Sequence, residues 1–106
     1  MNSKLLKKIR ENISKYGFER KENIDLNECE KGDILISTHG AILEYEGKTE
    51  DWEYLPHRIK YISSEDPLKP LSGYGTRTND GFVFKNNRIP SDHDISRIIK
   101  KEDLEN

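Results

Sequence analysis

Apolar residues first gather at helical spacing. Leu5, Leu6, Ile9, Ile13 and Tyr16 line one side of a helix, with Lys4, Lys7, Lys8, Arg10 and Glu11 largely opposite. Asn2 or Ser3 is placed to cap its start, Gly17 to end it in a left-handed turn, and Phe18 to fold back on the last turn. The pattern predicts a helix over residues 1–18. Residues 19–33 read as a polar linker with a thin apolar thread of Ile24, Leu26 and Cys29, ending in a Lys31-Gly32-Asp33 turn.

The period then changes from helical to extended. Residues 34–38 (ILIST) and 41–46 (AILEYE) predict two strands around the His39-Gly40 break, with Ala41, Leu43 and Tyr45 on one face, and so a hairpin. Gly47 to Asp51 is a loop, and Trp52, Tyr54 and Leu55 return the chain to the core. Residues 57–62 predict a third strand, His57, Ile59 and Tyr61 facing one way and Arg58 and Lys60 the other. Ser63 to Asp80, with Pro67, Pro70, Gly73 and Gly75, reads as one long irregular stretch. Residues 82–85 (FVFK) predict a fourth strand, followed by an Asn86-Asn87 turn. Ile95, Ile98 and Ile99 fit a helix capped by Ser91 or Asp92, while Ile95, Arg97 and Ile99 fit a strand. The closing strand is preferred, with a charged tail from Lys100. The expected fold is α+β: an N-terminal helix followed by a small, strongly bent antiparallel sheet or SH3-like barrel of four to five strands.

Composition narrows this picture. At 106 residues there is room for one domain, residues 1–106, with its β core over 31–99. Hydrophobic residues make up 32% and charged residues 36%, a lean core for which pairing into a homodimer would bury further apolar surface. The net charge of −2 is unevenly spread. Residues 1–21 carry seven Lys or Arg against two acids, residues 22–54 two against ten, and residues 55–106 nine against eight. A basic surplus confined to the first helix does not favour general nucleic-acid binding. Cys29 stands alone, so neither an intrachain disulfide nor a cysteine-based zinc site can form, which fits a reducing compartment. No apolar run reaches signal-peptide or membrane-span length, and a cytoplasmic protein with no membrane partner is expected.

The richest chemistry lies in Gly73-Tyr-Gly-Thr-Arg-Thr-Asn-Asp-Gly81. Glycines let the backbone approach a ligand, and successive amides in a turn cradle an anion. Arg77 offers a planar fork for phosphate or carboxylate, Tyr74 a stacking ring, and Thr76, Thr78 and Asn79 polar edges. Neither the Walker spacing nor G-x-G-x-x-G is present. The competing reading is a plain connector whose polar groups cap turns. His39, His57 and His93 show no H-x-x-x-H or H-x-H spacing, and Asp92-His93-Asp94 reads first as a turn or cap, so neither a metal nor a cofactor is expected. Ser37 and Ser91 lack nucleophile-elbow glycines and Cys29 lacks a local histidine, so covalent catalysis is not expected. The acidic block from Glu44 to Glu53, with Trp52 and Tyr54, is either a solvated loop anchored by its aromatics or a contact patch for a protein partner.

The run Gly32-Asp33-x-Leu35-x-Ser37-x-His39-Gly40-x-x-Leu43-x-Tyr45, with His57-x-Ile59-x-Tyr61, Gly75-Thr76-Arg77-Thr78-Asn79-Asp80-Gly81 and Asp92-His93-Asp94-Ile95, resembles small proteins of bacteriophages and mobile elements built on an SH3-like small barrel. The resemblance spans residues 31–99. It implies a binder that blocks a host defence enzyme or sequesters its nucleotide signal, acting in the host cytoplasm. The expected function is therefore non-enzymatic capture of an anionic, nucleotide-like ligand by Tyr74, Gly75, Thr76, Arg77, Thr78 and Asn79, with His39 and His57 nearby. The alternatives are inhibition of a host protein through the acidic and aromatic surface, and, third, a small hydrolase using His39, His57, His93 and Asp94.

Overall fold

The computed structural model describes residues 3–20, 23–50, 53–63, 73–85 and 89–104. Helix α1 spans Ser3–Tyr16. It stops where expected: Gly17 adopts φ +75° and donates its N–H to the Ile13 carbonyl at 2.7 Å. Asn2 and the side chain of Ser3, the two expected caps, lie outside the described residues. Five strands follow: β1 (Ile34–Ser37), β2 (Ile42–Lys48), β3 (His57–Ser63), β4 (Tyr74–Arg77) and β5 (Ile95–Ile99). A short helix, α2, covers Lys101–Leu104.

All neighbouring strands are antiparallel, in the order β4-β3-β2-β1-β5. The β1–β2 hairpin forms as its sequence predicts. Gly40 turns with φ +80°, and the Ser37 hydroxyl accepts the N–H groups of His39 and Ala41 at 3.3 and 2.9 Å. The sheet is not closed into a barrel, since β4 and β5 are its two edges. Closure would need those edges to pair. Instead the connector between them meets the start of β5, Gly81 O accepting from Ile95 N at 2.8 Å.

Apolar layers cover both faces of the sheet. On one, Ile34, Ile36, Ile42 and Ile99 pack against Ile9 of α1 and Leu104 of α2, with Leu5, Leu6, Ile13, Phe18 and Ile62 around them. On the other, Leu35, Leu43, Tyr45, Ile59 and Ile95 pack beneath Ile24 and Leu26. Burial on both sides explains the unbroken Ile34-Leu35-Ile36 run. The polar linker is thus a covering layer. Asp25 Oδ1 accepts from Asn27 N at 3.0 Å to start a single 3-10 turn, Leu26–Glu28, and Leu26 N reaches Asn79 O at 2.8 Å.

Three expectations are corrected. Residues 82–85 form no strand. Thr78 and Phe82 close a tight turn (Thr78 N to Phe82 O, 2.9 Å; Phe82 N to Thr78 Oγ1, 3.0 Å), after which Val83 N bonds Asp94 Oδ1 at 2.8 Å instead of a strand. The fourth strand is β4, inside the stretch read as irregular, while the rest of that stretch at 64–72 and the Asn86-Asn87 turn lie outside the described residues. The charged tail is helical and anchored: Leu104 is buried, and Asp33 Oδ1 accepts the Lys101 N–H at 3.0 Å. Among the described residues no helix is long and apolar enough to cross a membrane.

Candidate ligand-binding face

A strand sends successive side chains to opposite faces, and β4 divides the anticipated cradle accordingly. Gly75 and Arg77 face the linker-covered side, opposite Ile59 and His57 of β3. Tyr74 and Thr76 stand on the other face, opposite Lys60 and Arg58.

The inner set is a closed polar network. Arg77 is 2% exposed and each nitrogen of its guanidinium is engaged: Nε donates to His93 O at 3.1 Å, Nη1 to Thr76 O at 2.7 Å and Nη2 to Tyr61 Oη at 2.8 Å. A buried cation needs such partners, and these leave it no fork for a ligand. Gly75 makes room for it, because a Cβ there would lie 3.1 Å from Arg77 Nη1. His57 is also fully buried, between Tyr45 Oη at 2.6 Å on Nδ1 and Asn79 Oδ1 at 2.7 Å on Nε2. Burial lowers the His57 pKa below its ordinary value, the Asn79 contact only partly offsetting it, and burial pushes the Tyr45 phenol up to about 12. Tyr45 therefore donates to Nδ1 of a neutral ring whose Nε2–H donates to Asn79.

The remaining candidates are spread along the connector. Thr78 closes its turn, and Asn79 holds both Leu26 and His57. Asp94 organises the segment before β5, its carboxylate accepting from Val83 N at 2.8 Å and Ser91 N at 2.9 Å. His39 is exposed at the β1–β2 turn, with Nδ1 3.3 Å from Asp92. His93 stands edge-on to Tyr61, ring centroids 5.8 Å apart. The three histidines thus occupy three settings, and no group of three or more His, Cys, Asp or Glu among the described residues is arranged to hold a metal ion. Burial pushes the Cys29 thiol up to about 12, with the Asp33 carboxylate adding to it, which favours the thiol over the thiolate. Trp52 lies outside the described residues. Its neighbour Tyr54 is 55% exposed and carries Lys85 Nζ 3.4 Å from its ring centroid.

The outer set is open to solvent. Tyr74 is 55% exposed, and the Arg58 guanidinium lies 4.4 Å over its ring. Lys60 stands directly opposite Tyr74 and Thr76 opposite Arg58. Along the other edge of β3, on the same face of the sheet, Glu44 of β2 stands opposite Lys60 and Gly47 opposite Arg58. Among the described residues no carboxylate comes within ion-pair distance of either cation. Arg58 and Lys60 were readable in the sequence as the outward positions of β3. Only the β3–β4 register joins them to Tyr74. Comparison with family models, curated proteins and solved structures finds no match to this chain.

Proposed function

We propose that the protein is a small non-enzymatic binder that captures an anionic, ring-bearing ligand of the nucleotide type on the outer face of β3 and β4. The observation that supports it is the Arg58–Tyr74 stack beside Lys60 on a solvent-open strand pair. Tyr74 offers a ring for a base, Arg58 and Lys60 neutralise phosphate, and Thr76 supplies a hydroxyl at the same surface. The cationic role expected of Arg77 passes to Arg58, while Arg77 stiffens the strand from behind. Sequestration of a nucleotide signal of a host defence, as the resemblance to phage proteins implies, is a use to which such a face is suited.

The test is a panel of mononucleotides, cyclic dinucleotides and ADP-ribose followed by native mass spectrometry and calorimetry. One member should bind, more weakly as salt rises. Tyr74→Ala and Arg58→Ala should each weaken it on the order of tenfold or more with folding unchanged. Indifference to the whole panel, or binding that survives both substitutions, would sink the reading.

A further inference from the structure

A second cation is placed very differently from those on the β3–β4 face. Arg97 on β5 is only 9% exposed, opposite Ile36 on the helix-covered side of the sheet. Its Nε and Nη2 are buried and have no hydrogen-bond partner among the described residues. These two nitrogens form one edge of the guanidinium, two parallel N–H donors spaced to meet two oxygens of a single oxyanion. Buried donors are nearly always paired, and the contrast with Arg77, which spends all three nitrogens internally, is sharp.

The surroundings suit an anion that also carries a donor. The Arg97 guanidinium lies 5.5 Å from the ring centroid of Tyr16, and Lys15 Nζ lies 5.2 Å from the same ring. Tyr16 is 58% exposed, so the cluster borders solvent. Asn12 stands one helical turn before Tyr16 on the same stripe of α1, and its Oδ1 is a buried acceptor that also has no partner among the described residues. Burial lowers the Arg97 pKa, and the effect of Tyr16 in the other direction is the smaller one, yet a guanidinium keeps its proton. The C-terminal end of α1 opposes an anion with roughly half an elementary charge. Two formal cations outweigh it.

We infer that Arg97, with Lys15, Tyr16 and Asn12, forms a phosphate-binding site between the end of α1 and β5, separate from the β3–β4 face. The unpaired fork, reached from the solvent-bordering side of Tyr16, takes two phosphate oxygens. A protonated oxygen of the dianion's conjugate acid, or a hydroxyl on the bound molecule, donates to Asn12 Oδ1. A carboxylate would satisfy the fork and leave Asn12 unpaired, so phosphate is favoured over it.

The test observes arginine Nε–H resonances of the intact wild-type protein by NMR while inorganic phosphate, O-phosphoserine or acetate is added at constant ionic strength. The Arg97 resonance, assigned by its loss in Arg97→Lys, should shift saturably with phosphate in the millimolar range and less with acetate. A matching response to O-phosphoserine would mark a phosphomonoester site, and a response to inorganic phosphate alone a free-ion site. Lys15→Ala should weaken either response several-fold while leaving the fold intact. If Arg97→Lys does not fold, the resonance is identified through its contacts to the Tyr16 ring. A resonance unmoved by either phosphate compound, or moved equally by acetate, overturns the proposal.

Discussion

At the scale of single residues, the least legible feature was what the polar side chains do. Arg77 and His57 were conspicuous in the sequence, and both proved to be buried within the network that stiffens β3 and β4. Nothing in residue type separates a structural arginine from a ligand-binding one, because the difference is the presence of acceptors such as Tyr61 Oη and His93 O brought from elsewhere in the chain. His57 carries a pH signature. Its folded pKa is depressed, so the unfolded chain takes up a proton first as pH falls, and stability is lost as pH drops below about 6.5, the ordinary histidine value. Denaturant titrations between about pH 7 and 5 should show this slope, and His57→Gln should reduce it. A variant slope equal to wild type would place the titrating group elsewhere. Asp33 acts in a lower window. Burial alone would raise its pKa, but hydrogen bonds from Glu30 N, Lys100 and Lys101 N hold it below the ordinary carboxylate value, so its contribution is present above about pH 4 and lost as pH falls through the folded value. Gly81 makes a different demand. Its φ is +83°, and a Cβ there would lie 2.8 Å from Ile95 Cβ. Gly81→Ala should cost about 1–3 kcal/mol in urea denaturation.

At the scale of elements, helix α1 and the first three strands follow directly from hydrophobic period, because each buries an apolar face. Strand β4 was hidden for a physical reason: its inward positions are a glycine and an arginine, so no apolar alternation marks it. Phe82-Val83-Phe84 misled in the opposite sense. Its rings suggested a strand, but Phe82 lies under the Arg20 guanidinium at 4.0 Å and Phe84 is 44% exposed. The last element was ambiguous because β5 carries an irregularity in its pairing with β1 between Ile36 and Ser37, which places Ile95 and Ile98 on one face and Arg97 and Ile99 on the other. Helix α2 is too short for any periodicity to show. Its one apolar residue, Leu104, still enters the core, and its carbonyl accepts from Lys8 Nζ at 3.0 Å. Leu104→Ala should therefore cost about 2 kcal/mol of stability, read as a lower denaturation midpoint with an unchanged slope, whereas a solvated tail would show no change.

Across the whole molecule, the sheet is covered on both sides by unlike layers, helices on one and irregular chain on the other. The irregular layer holds its place through backbone and carboxylate contacts, those of Asp94 and Asn79 above all. The helical layer packs on Ile34, Ile36, Ile42 and Ile99 and leaves Arg58, Lys60 and Tyr74 exposed on the same side, the open ground on which the binding proposal rests. The position of β1 has one further consequence. It pairs with β2, adjacent in sequence, and with β5, whose Ser96 hydroxyl meets the Ile36 carbonyl sixty residues further along. A chain emerging from a ribosome at about 5–20 residues per second exposes Ile34-Leu35-Ile36 for several seconds before β5 exists to cover that edge. Through that interval the most apolar segment of the protein, paired only with β2, presents one bare strand edge to any neighbouring nascent chain.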